Sequence, residues 1–330
     1  MSGAVLILTR REIAALMTPA DYRGAVEAAF RAAKEGRAAA PPPLHIAGEG
    51  GQFHGKAASI EDGGKFHVAL KLNGNFPGNP AKGLPTIQGG VLFCDGRDGR
   101  LLAVMDSIEI TLGRTAGASA LAATHLARAE AQTLFIAGCG DQALAHAAAM
   151  ADVRRFTRGL AFDLDGEKAA RFAAAMQKAL GFDFRPAAAL ADAARADVIV
   201  TLTTATAPFL GPSHVSPGAF VAAVGADNPE KSEIAPDLMA SATVVVDVLE
   251  QCLVMGDLRA AIAAGAMTAA DVHADLGDIV TGKKPGRRDA GEIIVFDSTG
   301  TGLEDVAAAA LAYERALNAR AGSMIALGAA

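Results

Sequence analysis

From about Ala131 onward the chain alternates short, uninterrupted apolar runs with alanine-rich helical stretches, and this rhythm limits the available folds more than any other feature. The runs are TLFIAG (133–138), GLAFDLD (159–165), DVIVTLTT (197–204), AFVAAVG (219–225), ATVVVDV (242–248) and EIIVFDS (292–298). Continuous rather than alternating apolarity marks strands buried on both faces, as in a parallel sheet covered by helices. Between them, EKAARFAAAMQKAL (167–180) carries apolar residues at helical spacing,. The expected fold class is α/β, with a Rossmann-type parallel-sheet domain.

The first of these runs ends in Gly138-Cys139-Gly140-Asp141-Gln142-Ala143, a G-x-G-x-x-A pattern. Gly138 permits the tight turn, Gly140 lets the backbone approach a pyrophosphate, and Ala143 lets the helix pack closely on the strand. The helix starting near Asp141 turns unpaired N–H groups, Gln142 among them, toward the phosphates. Asp163 follows Ala143 by 20 residues, at the end of the next strand. A carboxylate there accepts hydrogen bonds from the ribose hydroxyls and repels a 2′-phosphate, which favours NAD over NADP. The plain alternative for Asp163 is a helix N-cap, a role open also to Asp165.

The first 118 residues differ in character. A helical stretch (19–35) precedes Pro41-Pro42-Pro43, and strand-like runs follow at 67–74, 89–95 and 100–106, the last two joined by the turn GRDG,. Of the 330 residues 51% are hydrophobic, which raises the question of a membrane span. The longest uncharged stretch, Val198–Ala226, is broken by Pro208, Pro212 and Pro217 and is better explained as two buried strands and a loop,. A net charge of −6 without a basic cluster argues against nucleic-acid binding,. Three widely spaced cysteines imply no disulfide framework or metal site, and the histidines show no metal-ligand spacing,. A cytoplasmic setting without membrane attachment is expected.

Several further segments resemble the ornithine cyclodeaminase/μ-crystallin family: LKLNGNFPGNPAKGLPTIQGG (70–90), RTAGASALAATHLA (114–127), VGADNPEKSE (224–233), DVLEQC (247–252) and VFDSTGTGLEDVAAA (295–309). They span nearly the whole chain in the family's order. The resemblance implies a discontinuous α+β substrate and dimerisation domain (1–125 with 305–330), a Rossmann NAD-binding domain (126–304), and a homodimer with its active site in the interdomain cleft. It also implies residue roles. Lys71 and Arg114 hold the carboxylate of a small amino-acid or imino-acid substrate, and Arg114 also reaches the cofactor. Thr86, Thr203, Val224, Lys231 and Ser298 border the dinucleotide, Thr299 borders the substrate, Asp227 is the catalytic carboxylate, and Lys71 shares the catalytic role. A hydride moving between nicotinamide and an α-carbon needs a fixed carboxylate and a group that moves a proton, and these residue types suit both tasks. The plain alternatives are a solvated Lys71, an Arg114 paired with Asp106 or Glu109, and an Asp227 that only caps the turn before Pro229.

The sequence departs from the family at two points. The arginine that many members carry after a Pro-Pro pair is missing from Pro41-Pro42-Pro43-Leu44-His45. Where ornithine-cyclising members have a glutamate for the distal ammonium, FHGKAA (53–58) brings His54 and Lys56. Lys56 or His45 thus replaces the arginine, or Lys56 receives a second substrate carboxylate. Either way a cation near this position disfavours ornithine. The expected activity is NAD(H)-dependent oxidoreduction of an imine or keto acid–amino acid pair, of ketimine-reductase or alanine-dehydrogenase type. A cyclodeaminase that recycles NAD⁺ and a non-catalytic crystallin-like binding protein are the competing readings.

Overall fold

Six of the strands that build the second half of the molecule match the six apolar runs, and three of these are buried along their whole length. In the computed structural model, which describes residues 3–327, they and two short edge strands form one parallel sheet of eight strands. From edge to edge the order is Asp183–Pro186, Arg158–Phe162, Thr133–Ala137, Val198–Thr201, Phe220–Ala223, Ile294–Asp297, Thr243–Val246 and Ala274–Asp275. The chain reverses direction of travel beside Thr133–Ala137: the next strand in sequence lies on one side and Val198–Thr201 on the other. Such a reversal opens a crevice at the carboxyl ends of the strands, where open α/β sheets bind ligands. The helix Gly166–Leu180 is capped by Asp165, whose carboxylate accepts from the N–H groups of Glu167 and Lys168, and ends at Gly181 with φ +77°,.

The other half is a mixed sheet, ordered Ser323–Ala326, Ala4–Leu8, Leu101–Asp106, Ile87–Asp95, Lys65–Asn75, Gly51–Asp62 and Ala38–Ala39, with Leu44–Gly48 also paired to Gly51–Asp62. Its core packs against the helices Pro19–Lys34 and Gly302–Ala319. Alternation sorts the strand Lys65–Asn75: Ala69 and Lys71 are buried while Leu70 and Leu72 are exposed,. The last helix starts at Gly302 because Thr301 and Glu304 form a capping box there,. Gly302 is obligatory by proximity, since a Cβ would collide with the carbonyl of Ala57.

The chain divides into two compact units, Met1–Thr115 with Thr301–Ala330, and Ala116–Gly300. These bounds differ from 125/126 and 304/305. The reason is packing: Ala116 and Ala120 of the helix Ser107–Leu126 sit against Ala149, whereas the last helix joins the first unit's core from its first turn. Residues 1–2 and 328–330 of the expected division lie outside the described residues. Among the described residues no helix is long and apolar enough to cross a membrane.

Candidate active site

In the first unit, register brings cations together. Lys56 stands directly opposite Lys71 on neighbouring antiparallel strands, so the two side chains share one face of the sheet,. Lys71 is 3% exposed; its Nζ donates to Asp305 Oδ1 at 2.7 Å and to Thr111 Oγ1 at 3.1 Å. Arg114 is buried as well, with Nη1 2.8 Å from Glu304 Oε2 and Nε 3.0 Å from Asp305 Oδ1. Arg114 therefore joins the last helix and not Asp106 or Glu109; Glu109 pairs with Arg10. Burial, with Arg114 next in effect, pushes the Lys71 ammonium down to about 7. Burial opposes the charge on Asp305, but Lys71 and Arg114 outweigh it and hold its carboxyl below the usual range.

Glu304 and Asp305 were not singled out in the sequence. Both lie in the first turn of the helix Gly302–Ala319, where the positive end of the helix dipole supports negative charge,. Glu304 serves twice, accepting the Thr301 N–H as the capping-box residue and the Arg114 guanidinium through its other oxygen. Acids at a helix start look like ordinary caps in sequence. Their second use joins positions 190 and 234 residues apart, which no local pattern reveals. Elsewhere in this unit, Thr86 lies half-buried one residue before Ile87–Asp95, its carbonyl accepting from Phe76 N. His45 and His54 meet edge to face, ring centroids 4.8 Å apart.

The second unit holds the dinucleotide candidates. Gly138 has φ +91°, and a Cβ there would come within 2.8 Å of the Leu202 carbonyl oxygen. Gly140 N-caps the helix Asp141–Val153 without a side-chain bond, and a Cβ on it would meet nothing within 4 Å. Asp163 is not the helix cap, since Asp165 takes that role; instead its Oδ2 accepts from Cys139 N at 2.9 Å, and Lys168 Nζ lies 3.4 Å away. Burial opposes its charge, but the N–H groups of Cys139 and Asp165 and the nearby Lys168 prevail, so the carboxyl sits below its ordinary value. Gln142 Oε1 and Ser298 Oγ are buried without a hydrogen-bond partner among the described residues. A conformationally forced glycine, an open backbone approach, an ionised carboxylate and two orphaned polar atoms together fit a dinucleotide.

The remaining second-unit residues divide. Asp227 is largely exposed and pairs with Lys231 at 2.7 Å; Asn228, not Asp227, bonds the turn through Glu230 N. Val224 is buried. Thr203 and Thr299 lie just beyond their strands, but their hydroxyls are engaged within the unit. Thr203 Oγ1 donates to Glu233 at 2.7 Å, while Thr299 Oγ1 contacts Asp247 and accepts from Gln251 at 2.6 Å. Sequence reasoning missed four buried acids here: Glu233, Asp247, Asp257 and Asp297. Burial raises Glu233 to about 7 against the bonds from Thr201 and Thr203, and it raises Asp257 and Asp297 too.

A parallel sheet with a glycine-rich turn at its crevice, joined in one chain to a mixed sheet holding buried cations, fits the class of dinucleotide-binding proteins,. The sequence matches the ornithine cyclodeaminase/mu-crystallin family over residues 4–320, and the chain belongs to that family. Among similar solved structures is an archaeal alanine dehydrogenase dimer with bound NAD, at TM-score 0.93 and 34% identity, covering 98% of this chain and 99% of that one. The Δ1-pyrroline-2-carboxylate reductase of Thermococcus litoralis, in complex with NADH and L-proline, has TM-score 0.93 and 30% identity over 97% and 100% of the chains. The iminosuccinate reductase of Paracoccus denitrificans, with NAD⁺, has TM-score 0.89 and 31% identity over 98% and 99%.

Proposed function

We propose that the chain is an NAD(H)-dependent oxidoreductase acting on an imine or keto acid–amino acid pair. The observation that carries this reading is the buried charge group of the first unit. Lys71 and Arg114 meet the carboxylates of Glu304 and Asp305, and Lys56 stands across from Lys71 on the same sheet face, a cluster of cations suited to gripping a substrate carboxylate,. Because Lys56 lies across from Lys71 on the same sheet face, it belongs with this group and takes the place of the missing family arginine, rather than receiving a distant second carboxylate. The three relatives named above act on or carry small amino and imino acids.

NAD, held by Gly138, Gly140, Asp141, Gln142 and Asp163, supplies hydride transfer to or from the substrate's α-carbon when bound. Asp163 has acceptor capacity beyond the bonds it makes, which suits ribose hydroxyls and favours NAD over NADP,. Ser298, Val224 and Lys231 complete the cofactor-side set, with Thr86 from the first unit. Lys71 and Arg114 grip the carboxylate through charge-assisted bonds, and Lys71, poised near neutrality, also exchanges a proton with substrate,. Asp227 moves the proton at the substrate nitrogen or at an attacking water. Three cations at the substrate site repel a distal ammonium, which disfavours an ornithine-type lyase. The exposed apolar row Leu44, Ile46, Leu70, Leu72 and Leu92 fits a second copy of the chain, and a homodimer follows,.

A substrate panel followed at the nicotinamide absorbance band tests the proposal. Pyruvate with ammonia or methylamine, and cyclic imines such as a pyrroline carboxylate, are expected to consume NADH net. Turnover of L-ornithine with no net change in NADH, and no consumption with the others, would overturn it.

A further inference from the structure

The hydride-transfer reading gives no task to Glu233, one of the four buried acids of the second unit. Glu233 is fully buried, and each of its oxygens accepts two bonds. Oε2 accepts from Thr201 Oγ1 at 2.6 Å and Gly225 N at 2.8 Å; Oε1 accepts from Thr203 N at 2.6 Å and Thr203 Oγ1 at 2.7 Å. One side chain therefore ties together the carboxyl ends of two neighbouring parallel strands, Val198–Thr201 and Phe220–Ala223. It also closes the neck of its own loop, because Gly225 and Glu233 bound residues 226–232, which carry Asp227 and Lys231. Gly225 has no room for a Cβ, which would run into the Glu233 carboxylate and the Thr203 carbonyl.

The base of the loop is fixed from below as well. Asp257 Oδ1 accepts from Ser232 Oγ at 2.9 Å, Glu233 N at 2.7 Å and Ile234 N at 3.0 Å. Asp257 itself opens the helix Gly256–Ala263, whose Asp257 and Leu258 N–H groups donate to Asp297 at 3.2 and 2.8 Å. A carboxylate bonded on both oxygens within a rigid base suits the placement of a neighbouring reactive side chain, where a shift near 1 Å is costly.

We infer that Glu233 is a positioning residue: it fixes the loop of Asp227 and Lys231, and the Thr203 turn beside it, at the carboxyl edge of the sheet. The consequence for turnover rests on the function proposed above; the clamp itself does not.

The test is Glu233→Gln in the full-length protein. An amide keeps the volume but sets an NH₂ group against a backbone N–H in either orientation, Thr203 N on one side or Gly225 N on the other. Hydrogen exchange should quicken roughly tenfold in peptides covering 203–206 and 225–232, and stay unchanged in the strand Thr133–Ala137. With the substrate found in the panel above, kcat should fall roughly 100-fold. KM for the acid should hold, because Lys71 and Arg114 belong to the other unit. Thr203→Val, which removes one donor, should quicken the same peptides to a smaller degree, and decides the matter if the glutamine variant does not fold. Wild-type exchange at 225–232 in the folded variant, or a KM that rises with kcat unchanged, overturns the inference. If the wild-type protein turns over nothing, the functional reading fails while the exchange measurement still decides the clamp.

Discussion

An ammonium buried beside a guanidinium gives up its proton more easily than one in water, and Lys71 is placed that way,. If Lys71 grips the substrate carboxylate, it must be charged to do so, and its proton is lost as pH rises through about 7. The KM for the acid substrate is therefore expected to rise with pH across that value, by roughly tenfold per unit on the alkaline side. A pH series of steady-state rates checks this, and Lys71→Arg should shift the rise well to the alkaline side. Lys56 provides a second check. Lys56→Gln removes one cation from the group, so KM is expected to increase roughly fivefold to fiftyfold with kcat little changed, the size of a partly exposed charge-assisted bond.

At the scale of elements, the parallel strands were legible because burial on both faces leaves uninterrupted apolar runs. The short edge strand Asp183–Pro186 was not, being half polar in DFRP and helped into place by pairing with Arg158–Phe162. The glycine turn was legible because φ +91° at Gly138 demands a particular residue type,. The buried acids were not, since a glutamate in PEKSE reads as solvated until the fold brings Thr201, Thr203 and Gly225 around it. Likewise Lys71 and Arg114 could be placed by resemblance, while their partners Glu304 and Asp305 became visible only when the last helix met the strand and helix that carry them. Gly138→Ala is expected to cost about 1–3 kcal/mol through strain at positive φ and contact with the Leu202 carbonyl,. Thermal unfolding and NADH fluorescence titration should show lower stability and weaker cofactor binding together.

For the molecule as a whole, the raised acids set a direction for stability against pH. Glu233 titrates near 4.5 in an unfolded chain and near 7 in the fold, so its contribution is full below the lower value and is lost as pH rises through the higher one,. Asp257 and Asp297 act in the same direction. The unfolding midpoint is expected to decline from about pH 5 to pH 8, and less steeply in Glu233→Gln, as calorimetry would show. The outward apolar row of the first unit gives a further expectation: Leu72→Glu combined with Leu92→Glu should shift sedimentation from dimer toward monomer, because a charge at a buried contact is costly,.

Isotope transfer addresses the chemistry itself. With NADH carrying deuterium at the transferable nicotinamide position, and pyruvate plus methylamine or a cyclic imine as acceptor, the amino acid formed should hold that deuterium on its α-carbon and weigh one mass unit more by mass spectrometry. An unlabelled product, formed while the nicotinamide keeps its deuterium, would contradict hydride delivery to a substrate anchored by Lys71 and Arg114.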